Sequence, residues 1–108
     1  MKSAYKTFMK VTNETKRIER LIDEHYPNCP KDLLRAYRYN FASIRVRVVD
    51  ERFRGMNRAE RDRIVSPLID TLPEETVQDI NILLILTPDE LDESLMNREY
   101  EHPERTEL

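Results

Sequence analysis

The sequence predicts an α/β domain of the α+β kind, in which three strands form one mixed sheet with helices on one face. Two observations predict this class. Residues 44–49 alternate apolar side chains with arginine, which is the period of two of a half-buried strand. An amphipathic segment, residues 57–72, follows after Gly55, the only glycine, where we expect a positive φ between strand and helix. The predicted order is α-β-β-α-(α)-β-α, within one domain spanning residues 1–96.

The first helix is predicted from about Thr12, which can cap its N-terminus, to Glu24. Its apolar stripe consists of Ile18, Leu21 and Ile22. Two prolines and an asparagine within residues 26–30 then end the helix in a turn.

The first strand is predicted over residues 33–39, where Leu34, Tyr37 and Tyr39 favour extended structure. Only residues 40–43 separate it from the strand at 44–49. Because this connection is short, we expect an antiparallel hairpin.

The central helix opens with Asn57 and Glu60, which have the spacing of a capping box. Pro67 falls inside it, and a proline removes one backbone bond and clashes with the preceding turn. We therefore expect a kink at residues 63–66, or two shorter helices that meet there. Five apolar residues are predicted on its core face: Ile64, Val65, Leu68, Ile69 and Leu72.

The third strand is predicted over residues 76–86, after the break at Pro73. Its end, residues 82–86, is the most apolar run of the chain, which indicates a strand covered on both faces or one that meets a partner. Thr87 as N-cap, Pro88 at the first position and Glu90 two residues later predict a last short helix. Residues 97–108 are charged and are expected to form a disordered, acidic tail.

Composition indicates one small polar domain. The chain has 108 residues, of which 39% are hydrophobic and 36% charged, with a net charge of −3. No apolar run is long enough to predict a transmembrane helix or a secretory signal. One cysteine cannot form an internal disulfide, which favours a cytoplasmic location.

Charge is distributed unevenly along the chain. Seven arginines and four acids lie between residues 45 and 63, whereas eleven acids and two arginines lie between residue 74 and the end. This pattern indicates either a basic binding face or an acidic tail that covers one. The alternative is a solvated strand face followed by a disordered end.

Two motifs resemble the signature of the BolA family. Phe53-Arg54-Gly55, five residues, then Arg61-Asp62-Arg63 with Ile64-Val65 is similar to the family's F-x-G followed by R-H-R and a hydrophobic pair. Thr87-Pro88-Asp89-Glu90 is similar to its closing T-P-x-E. The resemblance spans about residues 44–91 and implies a BolA-like topology related to the type II K-homology fold.

The resemblance also implies a partner, a monothiol glutaredoxin with which BolA-like proteins share an iron–sulfur cluster. A histidine at the start of the third strand supplies a cluster ligand in that family. The corresponding position here is Asp79, or Asn81 in a shifted register, and residues 40–43 contain no histidine or cysteine. Carboxylates prefer harder metal ions, so the sequence departs from the cluster site and no cofactor is expected.

No catalytic constellation is present in the sequence, and the chain is not expected to be an enzyme. A single glycine excludes a phosphate-binding P-loop and a dinucleotide fingerprint. Cys29 with His25 is a weak candidate for a nucleophile pair or for two metal ligands, and Asp79 is a third weak metal candidate.

Three functions remain open at this level. The first is a non-catalytic adaptor or regulatory protein that binds a partner protein, with roles in transcription or stress response implied by the resemblance. The second is a nucleic-acid-binding transcriptional regulator. The third is self-association as a homodimer through Tyr37, Tyr39 and Phe41 or through residues 82–86. The predicted partner-binding or nucleic-acid-binding residues are Arg45, Arg47, Arg54, Arg58, Arg61 and Arg63.

Overall fold

A computed structural model of the chain describes residues 11–92, with the side chain of residue 92 excepted. The predicted tail and the ends of the chain lie outside these residues. The elements are helix α1 (Asn13–His25), strands β1 (Ala36–Asn40) and β2 (Ser43–Val49), a 3₁₀ turn (Glu51–Phe53), helices α2 (Arg58–Ile69) and α3 (Glu74–Asp79), strand β3 (Ile80–Leu86) and a second 3₁₀ turn (Pro88–Asp92). Helices with a three-stranded mixed sheet confirm the predicted α+β class.

The sheet has the strand order β1-β2-β3, so β2 is central. β1 and β2 are antiparallel, as the predicted hairpin requires, whereas β2 and β3 are parallel. A parallel pair needs a crossover connection, which α2 and α3 supply. The β2–β3 register shifts between Ile44 and Arg45, which leaves Asn81 as an extra residue on β3.

The core lies between one sheet face and the helices. Ile44, Val46 and Val48 alternate along β2 and are completely or almost completely buried. Side chains from the helices belong to the same apolar cluster, among them Ile18, Ile22, Val65 and Ile69. Phe53 is also fully buried, and its ring lies 5.6 Å from that of Tyr26. The arginines of β2 point to the opposite sheet face, because side chains alternate along a strand.

The corner between β2 and α2 confirms two sequence predictions. Gly55 has φ of 82°, a left-handed conformation that glycine adopts without the steric cost of a Cβ. Asn57 and Glu60 form the predicted capping box, in which each side chain accepts a hydrogen bond from the other residue's backbone N–H, at 2.9 and 2.8 Å. Thr12 caps α1 in the same way, through Thr15.

Helix α2 differs from its prediction in two respects. It is continuous from Arg58 to Ile69, so the second of the two predicted alternatives, two shorter helices that meet at residues 63–66, is wrong. Pro67 lies in the last turn, where only the bond to one carbonyl is lost before the helix ends. Ile64 is 44% exposed and does not belong to the core face, whereas Val65, Ile69 and Leu72 do.

The strand boundaries also required correction. β3 begins at Ile80 rather than Thr76, because residues 74–79 form α3. Pro73 precedes this helix and Glu74 and Glu75 occupy its first turn, where carboxylates interact favourably with the helix dipole. β1 begins at Ala36, three residues later than predicted. No helix within residues 11–92 is long and apolar enough to cross a bilayer.

Candidate functional site

The six predicted binding arginines lie in three different environments. Arg45 and Arg47 are on β2, on the sheet face opposite α1 and α2. Arg47 is 0% exposed, and its Nη2 donates to the carbonyl oxygen of Leu34 at 2.8 Å. The guanidinium of Arg45 lies 3.6 Å from the centre of the Tyr39 ring. Neither guanidinium is therefore exposed in the way that contact with a phosphate requires.

Arg54 joins the corner after β2 to the turn after β3. Its Nη2 and Nη1 donate to the carboxylate of Asp89 at 3.0 and 3.3 Å, and its Nε pairs with Glu51. The hydrogen bond from Arg54 is the main reason that the pKa of the Asp89 carboxyl is lowered to about 2. The hydroxyl of Thr87 also donates to Asp89. Thr87 lies directly before the turn Pro88–Asp92, at the predicted N-cap position, and the predicted short helix is a 3₁₀ turn.

The guanidinium of Arg61 donates hydrogen bonds to four acceptor oxygens, which belong to three segments of the chain. Its Nε donates to the carbonyl oxygen of Met56 at 3.0 Å, and its Nη1 to that of Ile85 at 2.9 Å. Its two Nη atoms also donate to the two carboxylate oxygens of Glu90, at 2.8 and 3.2 Å. Glu90 in turn accepts from the backbone N–H of Thr87. The bond from Arg61 is the first cause that lowers the pKa of Glu90 to about 2.

These contacts join the two motifs quoted from the sequence. Arg54 and Arg61 belong to the first motif, and their partners Asp89 and Glu90 belong to the second. In this chain the two motifs therefore have a structural role: their ion pairs hold the turn after β3 against the start of α2.

Arg58 and Arg63 form the third environment. Both are exposed, and neither side chain has a hydrogen bond or an ion pair within the described part of the chain. Arg58 and Asp62 are spaced for an intrahelical pair, but none is formed between them. The six arginines thus do not make one continuous basic surface, and their role in binding stays a prediction.

The candidate metal ligands serve other purposes. Cys29 is 1% exposed in the core, and burial raises the pKa of its thiol, which disfavours the thiolate that a metal or a substrate would need. His25 is exposed, with its Nδ1 3.2 Å from the carbonyl oxygen of Leu21. Asp79 pairs with Arg38 at 3.1 Å.

Across residues 11–92 no three histidine, cysteine or acidic side chains are grouped to hold a metal. Asp79, one of the two positions at which the BolA-like resemblance would place the family's histidine, is a hard oxygen ligand already paired with an arginine. These residues do not fit an iron–sulfur cluster, and no step is assigned to one.

A groove of about 420 Å³ lies along the outer edge of β3, the edge that faces away from β2. Its apolar lining consists of Met56 and the four residues of β3 from Leu83 to Leu86. Its charged lining consists of Arg58, Arg61, Asp62 and Glu90. The apolar run at 82–86 had indicated a strand covered on both faces or one that meets a partner, and Arg58 and Arg61 were among the predicted binding residues. Met56 and Asp62 were not predicted to line a site.

The backbone direction of β3 follows from two hydrogen bonds. The carbonyl oxygen of Ile85 accepts from Arg61 and so points away from β2, whereas that of Leu86 accepts from the N–H of Asp50 and points towards it. Because backbone groups alternate along a strand, the N–H and carbonyl of Leu83 also point into the groove. Among residues 11–92 no strand pairs with this edge.

The opposite edge of the sheet is less suited to the predicted self-association. Tyr37 on β1 is 1% exposed, and burial raises the pKa of its hydroxyl to about 12. Phe41 is 78% exposed, but it lies at the turn of the hairpin rather than on a strand edge. The groove beside β3 is therefore the candidate site that the described residues favour.

Comparisons with protein-family models, with curated proteins and with solved structures found no match.

Proposed function

We propose that this protein is a non-catalytic adaptor that binds an extended segment of a partner protein along the outer edge of β3. The observation that carries the proposal is the groove in which outward backbone groups of Leu83 lie among apolar side chains. In strand addition, main-chain hydrogen bonds supply affinity and the flanking side chains supply specificity.

The accessible part of this edge is short. Arg61 already occupies the outward carbonyl of Ile85, so the N–H and carbonyl of Leu83 and the N–H of Ile85 remain for a partner. A blocked and shortened edge is a common protection against indiscriminate strand pairing. The groove therefore suits a brief extended segment rather than a long sheet.

The partner that the BolA-like resemblance implies is a monothiol glutaredoxin. We propose that this protein binds the glutaredoxin without sharing an iron–sulfur cluster, because Asp79 is paired with Arg38 and does not suit cluster ligation. No catalysis is assigned, since the only cysteine is buried and its thiol pKa is raised. Nucleic-acid binding has less support, because Arg58 and Arg63 are the only exposed arginines of the predicted six without partners among the described residues.

The test is a calorimetric titration of the protein with a monothiol glutaredoxin, with and without its cluster. We expect a complex in both forms and an unchanged cluster spectrum. Leu83→Pro should weaken the complex about tenfold or more, because it removes an outward N–H without touching the bonds to β2. Leu83→Ala is the matched control, since it shortens the same side chain but keeps the N–H.

Equal binding by the two Leu83 variants would contradict strand addition. A native protein that forms no complex with either form of the glutaredoxin would contradict the proposed partner. Circular dichroism of both variants checks that the sheet is intact.

A further inference from the structure

We infer that the open edge of β3 also takes a second copy of this chain, forming a two-fold symmetric dimer in which the two β3 strands pair antiparallel. The inference rests on the same open edge as the proposed function and names a further occupant for it. The pairing would be confined to the region of Leu83, because Arg61 occupies the outward carbonyl of Ile85 in each copy.

The backbone of Leu83 is complementary to itself. Its N–H and its carbonyl both point outwards, as deduced from the bond between Arg61 and Ile85. In an antiparallel pair, two residues directly opposite each other exchange both hydrogen bonds. Two Leu83 residues facing each other across a two-fold axis would satisfy all four groups, which is the self-complementary arrangement of an isologous interface.

The charges on α2 are complementary under the same axis. Arg58 and Asp62 lie one turn apart on the side of α2 that lines the groove, and neither has an ion pair among the described residues. The α2 segment between them lies beside the end of β3, since Arg61 reaches Ile85. A two-fold axis at Leu83 sets the two α2 helices antiparallel, and the proposed dimer pairs Arg58 of each copy with Asp62 of the other.

Apolar side chains at the edge of β3 favour association with a second copy, because they would be removed from water. Leu83 and Leu84 line the groove and are only half buried. Ser66, the next residue after Arg58 and Asp62 on the same helical ridge, is small and permits close approach of a second helix. A second copy would therefore cover leucine side chains and unpaired backbone together.

The decisive experiment uses two charge reversals, Arg58→Asp and Asp62→Arg, in sedimentation velocity over a concentration series. The native chain should move from a mass near 13.0 kDa to twice that mass as concentration rises. Each reversal should raise the dimer dissociation constant about tenfold or more, because two like-charge contacts replace two attractive ones. An equimolar mixture of the two variants should restore dimerisation, since both contacts are again between opposite charges.

The control is Arg63→Asp, which makes the same charge change on an exposed arginine of α2 that does not line the groove. It should leave the dimer unchanged. Circular dichroism and thermal unfolding of all variants check that the fold is kept.

Three results would overturn the inference: a native chain that stays monomeric at millimolar concentration, variants that dimerise as well as the native chain, or a mixture that stays monomeric. A monomeric chain that still binds the glutaredoxin at β3 would reject the dimer alone. A dimer that binds no glutaredoxin would reject the proposed partner alone.

Discussion

The guanidinium of Arg61 donates to the carbonyl oxygen of Ile85 at 2.9 Å and forms a bidentate pair with Glu90. One side chain thereby fixes the start of α2, the end of β3 and the turn that follows. It also closes part of the edge that would otherwise accept another strand. Stability and the limits of the proposed binding site thus depend on the same residue.

Leaving aside the buried Arg47, replacement of Arg61 should be more destabilising than replacement of any other of the six predicted binding arginines. Arg61→Ala removes the donor to the carbonyls of Met56 and Ile85 and leaves the Glu90 carboxylate with only the N–H of Thr87, and we expect a loss of about 2 kcal/mol in the free energy of unfolding. Urea denaturation measures this loss. Arg63→Ala removes an exposed arginine without partners in the described chain and should change the free energy by less than about 0.5 kcal/mol. Equal effects of the two changes would show that the Arg61 contacts do not form in solution.

The free energy of unfolding should decrease as the pH falls, because the carboxyl groups of Asp89 and Glu90 then become protonated. The pKa values of Asp89 and Glu90 are both lowered to about 2 in the folded protein, from ordinary values of 3.8 and 4.5. A lowered folded-state pKa gives stability that is present above the unfolded pKa and is lost as pH falls towards the folded value. Urea denaturation at several pH values should therefore show a decline between about pH 5 and pH 2. Glu90→Gln should flatten this decline, and an identical pH profile for that variant would contradict the pairing with Arg61.

Gly55 allows a test of backbone conformation that does not involve packing. Its φ is +82°, and a Cβ added there would have no atom within 4 Å. Gly55→Val should cost about 1 kcal/mol or more, through backbone strain alone. Gly55→Asn is the matched comparison, since asparagine tolerates left-handed backbone better, and thermal unfolding should rank it between the native chain and the valine variant. A valine variant as stable as the native chain would rule out the left-handed conformation.

Affinity for nucleic acid through the six predicted arginines should depend weakly on salt. Of these six, only Arg58 and Arg63 are exposed without partners among the described residues, so the slope of log affinity against log salt should be about −2 or smaller in magnitude. Fluorescence anisotropy with duplex DNA over a salt series measures this slope. A much steeper slope, abolished by Arg45→Glu with Arg61→Glu, would instead support the second predicted function, a regulator with an arginine-rich face.

The sequence by itself determined the features that depend on residues close in the chain. The cap of α1 at Thr12, the left-handed Gly55 and the capping box of Asn57 and Glu60 all involve neighbours within three residues. The two alternating or apolar segments identified β2 and β3, and the α+β class followed from them. The BolA-like resemblance itself stays a prediction.

Only the tertiary structure decided which of the charged residues are available. Arg61 meets Glu90 across 29 residues of sequence, although it lies on the same helix as the exposed Arg58 and Arg63. Arg47 is buried and donates to the carbonyl oxygen of Leu34, although its strand pattern predicts only that it lies on the face away from the core. The short α3 also replaced the predicted start of β3. A local pattern specifies which face a side chain takes, but long-range packing determines what lies opposite that face, and hence which backbone edge and which charges remain open for a partner.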